Sequence, residues 1–165
     1  MGVRLSYPEI TQGEKYPHDT QLNACPVGQA LFYSPGISAD EIVDHYSYYE
    51  LIPVKQAYCG CSICVVDSES IITADNAIAA AAKAHNIDAL LISPGNIELP
   101  GFKYGFIGGS AFKISSDCMA FTGQLDALDD RDRILAFLRE RGISAKFITN
   151  LPIFDIGNGI IITEK

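Results

Sequence analysis

Apolar residues gather along the chain in short β-type runs, joined in pairs by polar turns and separated by helix signals. The paired runs lie at residues 24–27 and 30–34, 62–67 and 70–74, and 111–115 and 118–122. In the second and third pairs the joining turn is polar, Asp67-Ser-Glu-Ser70 and Ser115-Ser-Asp117. A helix is predicted after each hairpin. Ser38-Ala-Asp-Glu41 has the form of a capping box, in which the hydroxyl and the carboxylate would satisfy free amides at a helix start. Asp75 precedes an alanine-rich run to His85, and the acids between Asp126 and Asp130 precede a run to Arg141 that Gly142 stops. In that last helix Ile134, Leu135 and Leu138 share an inner face, and Asp129 and Arg133 are spaced as an i,i+4 ion pair.

A further apolar run closes each unit, at 51–55, 89–93 and 145–149. The predicted order is strand, strand, helix, strand, three times over. Ser34, Ala74 and Thr122 occupy equivalent points, with spacings of 40 and 48 residues, the extra length falling in the Gly- and Pro-rich connection 94–106. A period of this size is expected of blades or stacked units, set against an ordinary α/β domain with coincidental alternation. Residues 1–22 show no clear periodicity and read as an extended lead-in. Residues 23–165 read as one domain, with units at 23–58, 59–107 and 108–158 and a closing strand at 159–163.

The composition fits this picture. Of 165 residues, 48% are hydrophobic and 19% charged, the mix of a chain that builds a packed core. The net charge of −8 disfavours a phosphate backbone as partner. The densest cationic group, Arg131, Arg133, Arg139 and Arg141, is interleaved with acids and reads as a solvated helix face. No run approaches the ~18 apolar residues of a membrane span. Five cysteines without a secretory leader are expected to be free thiols in a cytoplasmic protein.

Certain strings go beyond periodicity: Tyr16-Pro-His-Asp19, Leu22-Asn23, Val54-Lys-Gln-Ala-Tyr58, Cys61-Ser-Ile-Cys64, Ile72-Thr-Ala-Asp75, Ala120-Phe-Thr-Gly123, Asp155-Ile-Gly157 and the long run from Leu99 to Gly109. Together they make the chain resemble an uncharacterised bacterial family of the guanidino-group-modifying enzyme, or pentein, fold. The resemblance runs from about Gly13 to the C-terminus. It implies a β/α propeller of strand-strand-helix-strand blades, of which about three of five are present, so the propeller is expected to be incomplete and to lack two N-terminal blades. Either the chain is a fragment, or a second copy covers the open blade edges. That fold hosts cysteine-dependent hydrolases and transferases of guanidino or amidine groups, and also a non-catalytic ribosomal factor, so two functions are expected: an enzyme of that kind, or a binding or assembly module.

In such a fold, residues in the same phase of each repeat converge on the axis. The segments at Asn23, Cys61, Gly108-Gly109 and Asp155 to Asn158 are then expected to face one another as a polar pocket for a small molecule. Gly108 and Gly109 either let backbone approach a ligand closely or, in the stronger reading, permit a turn with positive φ. Cys61 is the candidate nucleophile, with Lys55 nearby to lower its pKa. His18 is the candidate acid/base beside Asp19. Asp19 and Asp155 are the candidate anions for a cationic ligand, and Asn23, Lys55, Gln56, Gly108, Gly109 and Asn158 complete the candidate ligand-binding set. His45 and His85 are assigned to helices away from it. No cofactor is expected, and no metal either, because Cys61 and Cys64 would point to opposite faces of a strand.

Overall fold

The computed structural model describes residues 13–159. Among them the chain forms three units of one design. In the first, β1 (Cys25–Val27) pairs antiparallel with β2 (Ala30–Tyr33), α1 (Asp40–His45) crosses over, and β3 (Glu50–Pro53) returns parallel to β2. A helical turn, α2 (Cys59–Ser62), leads into the second unit: β4 (Ile63–Asp67), β5 (Ser70–Thr73), α3 (Asn76–Ala84) and β6 (Asp88–Leu91). The third is β7 (Ala111–Ser115), β8 (Cys118–Phe121), α4 (Arg131–Glu140) and β9 (Ser144–Phe147). Each unit is a three-stranded sheet with its second strand central. The repeated strand-strand-helix-strand order is therefore present three times, as separate sheets with no closed barrel.

The units associate by burying both faces of a sheet. Ile71 and Ile72 are adjacent on β5, both fully buried, and point to opposite sides. Ile71 joins Phe32 and Ile52 of the first sheet and Ile78, Ala79 and Ala82 of α3 in one core. Ile72 joins Met119 and Phe121 of the third sheet and Ile134, Phe137 and Leu138 of α4 in the other. Each of these two helices thus fills the gap between its own sheet and the preceding one. Helix α1 has no preceding sheet among the described residues, and none of its residues is buried. The first strands lie side by side, with β4 next to both β1 and β7.

Polar ties recur at the two junctions. At the C-terminal end of α3, His85 Nδ1 lies 2.6 Å from Glu50 Oε1, at the start of β3. At the C-terminal end of α4, Arg141 reaches Asp88 at the start of β6, donates to Ser70 Oγ at 2.9 Å, and lies over the Phe137 ring at 3.5 Å. The expectation that this arginine group is a solvated face fails for Arg141. At the other helix ends, Asp75 meets Gln56 and Asp130 meets Ser93, both partners lying just past the last strand of the preceding unit.

Several local expectations change with tertiary context. Asp75 does cap α3, its Oδ1 accepting from the amides of Ala77 and Ile78 at 2.8 and 3.1 Å. Gly142, with φ +68°, stops α4 as expected. The capping box does not form: Ser38 Oγ accepts instead from Ser34 N–H at 3.0 Å, and α1 starts without a side-chain cap. Arg133 pairs with Asp130 rather than Asp129. The described part of the lead-in is a set of turns, not extended chain: His18 N–H bonds Lys15 O across a cis Tyr16–Pro17 peptide, and Thr20 N–H bonds Pro17 O. Most of the predicted closing strand, residues 160–163, lies outside the described residues. None of the helices described is long and apolar enough to cross a membrane.

The Ser93 amide, with the Arg133 guanidinium, holds the Asp130 carboxyl below the usual carboxylate range despite its burial. A depressed folded pKa stabilises the fold above the unfolded value of about 4, and the contribution is lost as pH falls through the folded pKa. Asp130→Ala is expected to cost about 2 kcal/mol in urea unfolding at pH 7, with the gap from wild type narrowing once the pH drops below about 4.

Candidate functional site

Four segments meet beside the first strands. The turns at 17–23 set Asn23, whose N–H bonds Thr20 O at 2.9 Å. From there backbone hydrogen bonds run across the segments: Gly60 N–H to Asn23 O at 3.1 Å, Gly109 N–H to Cys61 O at 3.0 Å, and Ile156 N–H to Gly109 O at 2.8 Å. The predicted convergence of Asn23, Cys61, Gly108, Gly109, Asp155 and Asn158 is thus present in space. What it forms is a closed seam rather than an open pocket.

Glycine is required there by close approach. A Cβ on Gly109 would lie 1.9 Å from Asp155 Oδ1, and one on Gly108 would lie 2.3 Å from Ile63 O. Both glycines do sit in a turn, closed by Ser110 N–H to Ile107 O at 3.2 Å. Neither has a left-handed φ, however, so the expectation of a positive-φ turn gives way to close packing against the chain itself. Gly60 packs similarly, with Asn23 Oδ1 and Asn158 Nδ2 at 3.2 and 3.3 Å from its would-be Cβ.

Asp155 is buried and both of its oxygens accept from backbone. Oδ2 takes the Phe106 amide and Oδ1 the Gly157 amide, each at 2.7 Å. The side chain predicted to hold a cationic ligand pins two loops instead. Cys61 is also committed within the seam. Its Sγ donates to Gly157 O at 3.0 Å and receives the Asn23 amide at 3.4 Å. Burial raises the thiol above its ordinary pKa, the Asn23 bond lowers it, and the Asp155 charge raises it further. Lys55, expected to lower it, is exposed beyond β3 and is not among the groups acting on it.

The remaining expected residues fall elsewhere. His18 is exposed on the lead-in turns, and no hydrogen bond joins its ring to Cys61 among the described residues. Asp19 accepts from the Tyr58 hydroxyl at 2.7 Å, and that bond is the main reason the phenol pKa is pushed up to about 12. The Tyr58 ring continues a row from Tyr16, at 6.2 Å, to Phe106, at 5.9 Å. The other cysteines are free thiols. Cys64 donates to Met119 Sδ at 3.4 Å, and no group of three potential metal ligands exists among the described residues.

Sequence reasoning missed a cavity of ≈ 120 Å³ adjoining the seam. It opens where β5 and β6 end and where the long Leu99–Gly109 connection folds back, and Gln56, Ser62, Asp75, Tyr104 and Phe106 are among its lining. A crevice beyond the carboxyl ends of parallel strands is the usual ligand position in open α/β sheets. The Gln56 amide group lies 3.5 Å from Asp75 Oδ2, and its oxygen accepts from Tyr58 N–H at 3.1 Å. Ser62, 3% exposed, has its hydroxyl buried without a hydrogen-bond partner among the described residues. Of these residues only Gln56 was singled out as a ligand contact from sequence. Asp75 was legible as a cap, and nothing in the linear pattern marks Ser62.

The match to known families follows the same extent of chain. The model of a family described as a family of unknown function, DUF6873, matches residues 1–161. The chain belongs to this family. No curated protein and no solved structure matches the DUF6873 chain.

Gly109→Ala in this DUF6873 chain is expected to destabilise by more than about 2 kcal/mol, because the Asp155 carboxylate that the new Cβ would strike is held in place by the Phe106 and Gly157 amides. Gly36→Ala, where nothing lies within 4 Å of the would-be Cβ but φ is +76°, is expected to lose about 1 kcal/mol in the same urea titration.

Proposed function

We propose that the chain is a pentein-like arc of three blades that acts as a non-catalytic binding module for a small molecule. The repeated sheets, with first strands side by side and a helix between successive sheets, support the pentein-like reading of the architecture. The ligand is taken in the cavity at Gln56, Ser62 and Asp75, and the axial seam is the frame that shapes it.

One observation carries the preference for binding over cysteine chemistry. Cys61 is a buried thiol with raised pKa, whose hydrogen bonds all lie within the seam. A nucleophilic cysteine needs the opposite: a thiolate favoured by a base or cation, and a face open to substrate.

Self-association through the open ends is not part of the proposal. Both internal junctions set a basic residue just past a helix against a carboxylate at the start of a third strand. At the ends, Tyr46 takes the place of His85 and Arg141, and Ser144 that of Glu50 and Asp88. A second copy stacking by the internal geometry would find no such charge pair.

Alkylation tests the central claim. With iodoacetamide at neutral pH and mass spectrometry of each cysteine peptide, Cys61 in the folded protein is expected to react more slowly than in urea. Modification of Cys61 ahead of the half-buried Cys118 would reinstate the nucleophile and the enzyme reading.

A further inference from the structure

We infer that the cavity at Asp75 selects a small organic ammonium, a single positive charge on a short apolar body, an inference that rests on the binding-module reading. Among the described residues the lining holds one acidic side chain, Asp75, and no lysine, arginine or histidine beside it. Asp75 divides its oxygens. Oδ1 faces the helix and accepts both the Ala77 and Ile78 amides. Oδ2 has the Gln56 amide at 3.5 Å, the outer limit of a hydrogen bond. One acceptor oxygen therefore remains weakly occupied at the cavity.

That division decides the shape of the cation. A guanidinium pairs best with both oxygens of a carboxylate through its planar fork, and here one oxygen is already occupied by the helix N-terminus. An ammonium is a compact point charge with three freely directed donors and needs only one carboxylate oxygen. A second acceptor is at hand in Ser62, whose buried hydroxyl has no partner among the described residues and whose unmet hydrogen bond is a cost that a donor on the ligand would relieve. Ile92, Ile97, Phe106 and Ile107 supply apolar wall for the body of the ligand, and a volume of ≈ 120 Å³ limits it to a few heavy atoms.

The experiment is a titration of the ¹⁵N-labelled full chain, followed by amide chemical shifts, with n-butylammonium, n-butyramide as a neutral N–H donor of the same carbon count, and guanidinium chloride, all at millimolar, non-denaturing concentrations. Butylammonium is expected to shift the amides of Gln56, Ser62, Asp75 and Phe106 in a saturable way and to bind more tightly than the other two. Asp75→Asn, which keeps a good helix cap, is expected to weaken it about tenfold or more, and Ser62→Ala by about threefold to tenfold. Unchanged amide shifts in Asp75→Asn from Ala79 to Ala84, beyond the two amides that the cap itself accepts, confirm that the helix is intact. Should butyramide bind at those amides as well as butylammonium does, the charge selection is refuted and the cavity remains a binding site. Tighter binding of guanidinium would overturn the single-oxygen argument alone. If none of the three shifts those amides, the binding-module reading falls with the inference.

Discussion

A small sheet built as strand, strand, helix, strand covers only one of its faces with its own helix. The other must be buried by something else. In this chain that something is the helix of the next unit, so Ile71 and Ile72, neighbours on one strand, belong to two different cores. The units are therefore not independent folding domains. Each sheet of three- to five-residue strands is too small to be stable alone, and its burial is completed only when the neighbour docks. The ties between His85 and Glu50 and between Arg141 and Asp88 fix how far round each helix sits, a matter the apolar contacts leave loosely defined.

Docking units in this way brings their first strands together and leaves little room between them. The backbone seam through Asn23, Gly60, Cys61, Gly109 and Ile156 is the result, and the glycines allow chain to lie on chain. The polar side chains at the seam are consumed in it. Asp155 holds two loops and Cys61 bonds a carbonyl, which gives both structural work. Space survives one step away, where the ends of β5 and β6 diverge and the connection through Phe106 arches over them. A cavity there is enclosed by elements from two units, so its shape depends on the same docking.

Much of the architecture was legible because it rests on local rules. Hairpin turns such as Asp67 to Ser70, where Glu69 N–H bonds Asp67 Oδ1 at 2.8 Å, carry their own geometry. Asp75 before an alanine run caps a helix wherever that helix packs. The failures share one cause. Ser38 and Asp130 were placed by local capping logic, but each had a better partner that the sequence does not put nearby: the Ser34 amide across a turn, and the Ser93 amide from the preceding unit. The candidate site shows the same division. Repeat phase, set on the propeller that the resemblance implies, led to the expectation that Asn23, Cys61, the paired glycines and Asp155 would meet. Whether they meet as a pocket or as a packed seam depends on distances of an ångström, which phase does not carry.

By itself the sequence determined the order of elements and the threefold repetition, because hydrogen-bond patterns and apolar periodicity act over a few residues. Only the tertiary structure decided which polar groups remained available. Burial and long-range hydrogen bonds engaged Cys61 and Asp155 in the seam and, among the described residues, left Asp75 Oδ2 with one long side-chain contact and the Ser62 hydroxyl with none. Those outcomes turn on contacts between segments far apart in the chain, whose energies depend on exclusion of water and exact approach.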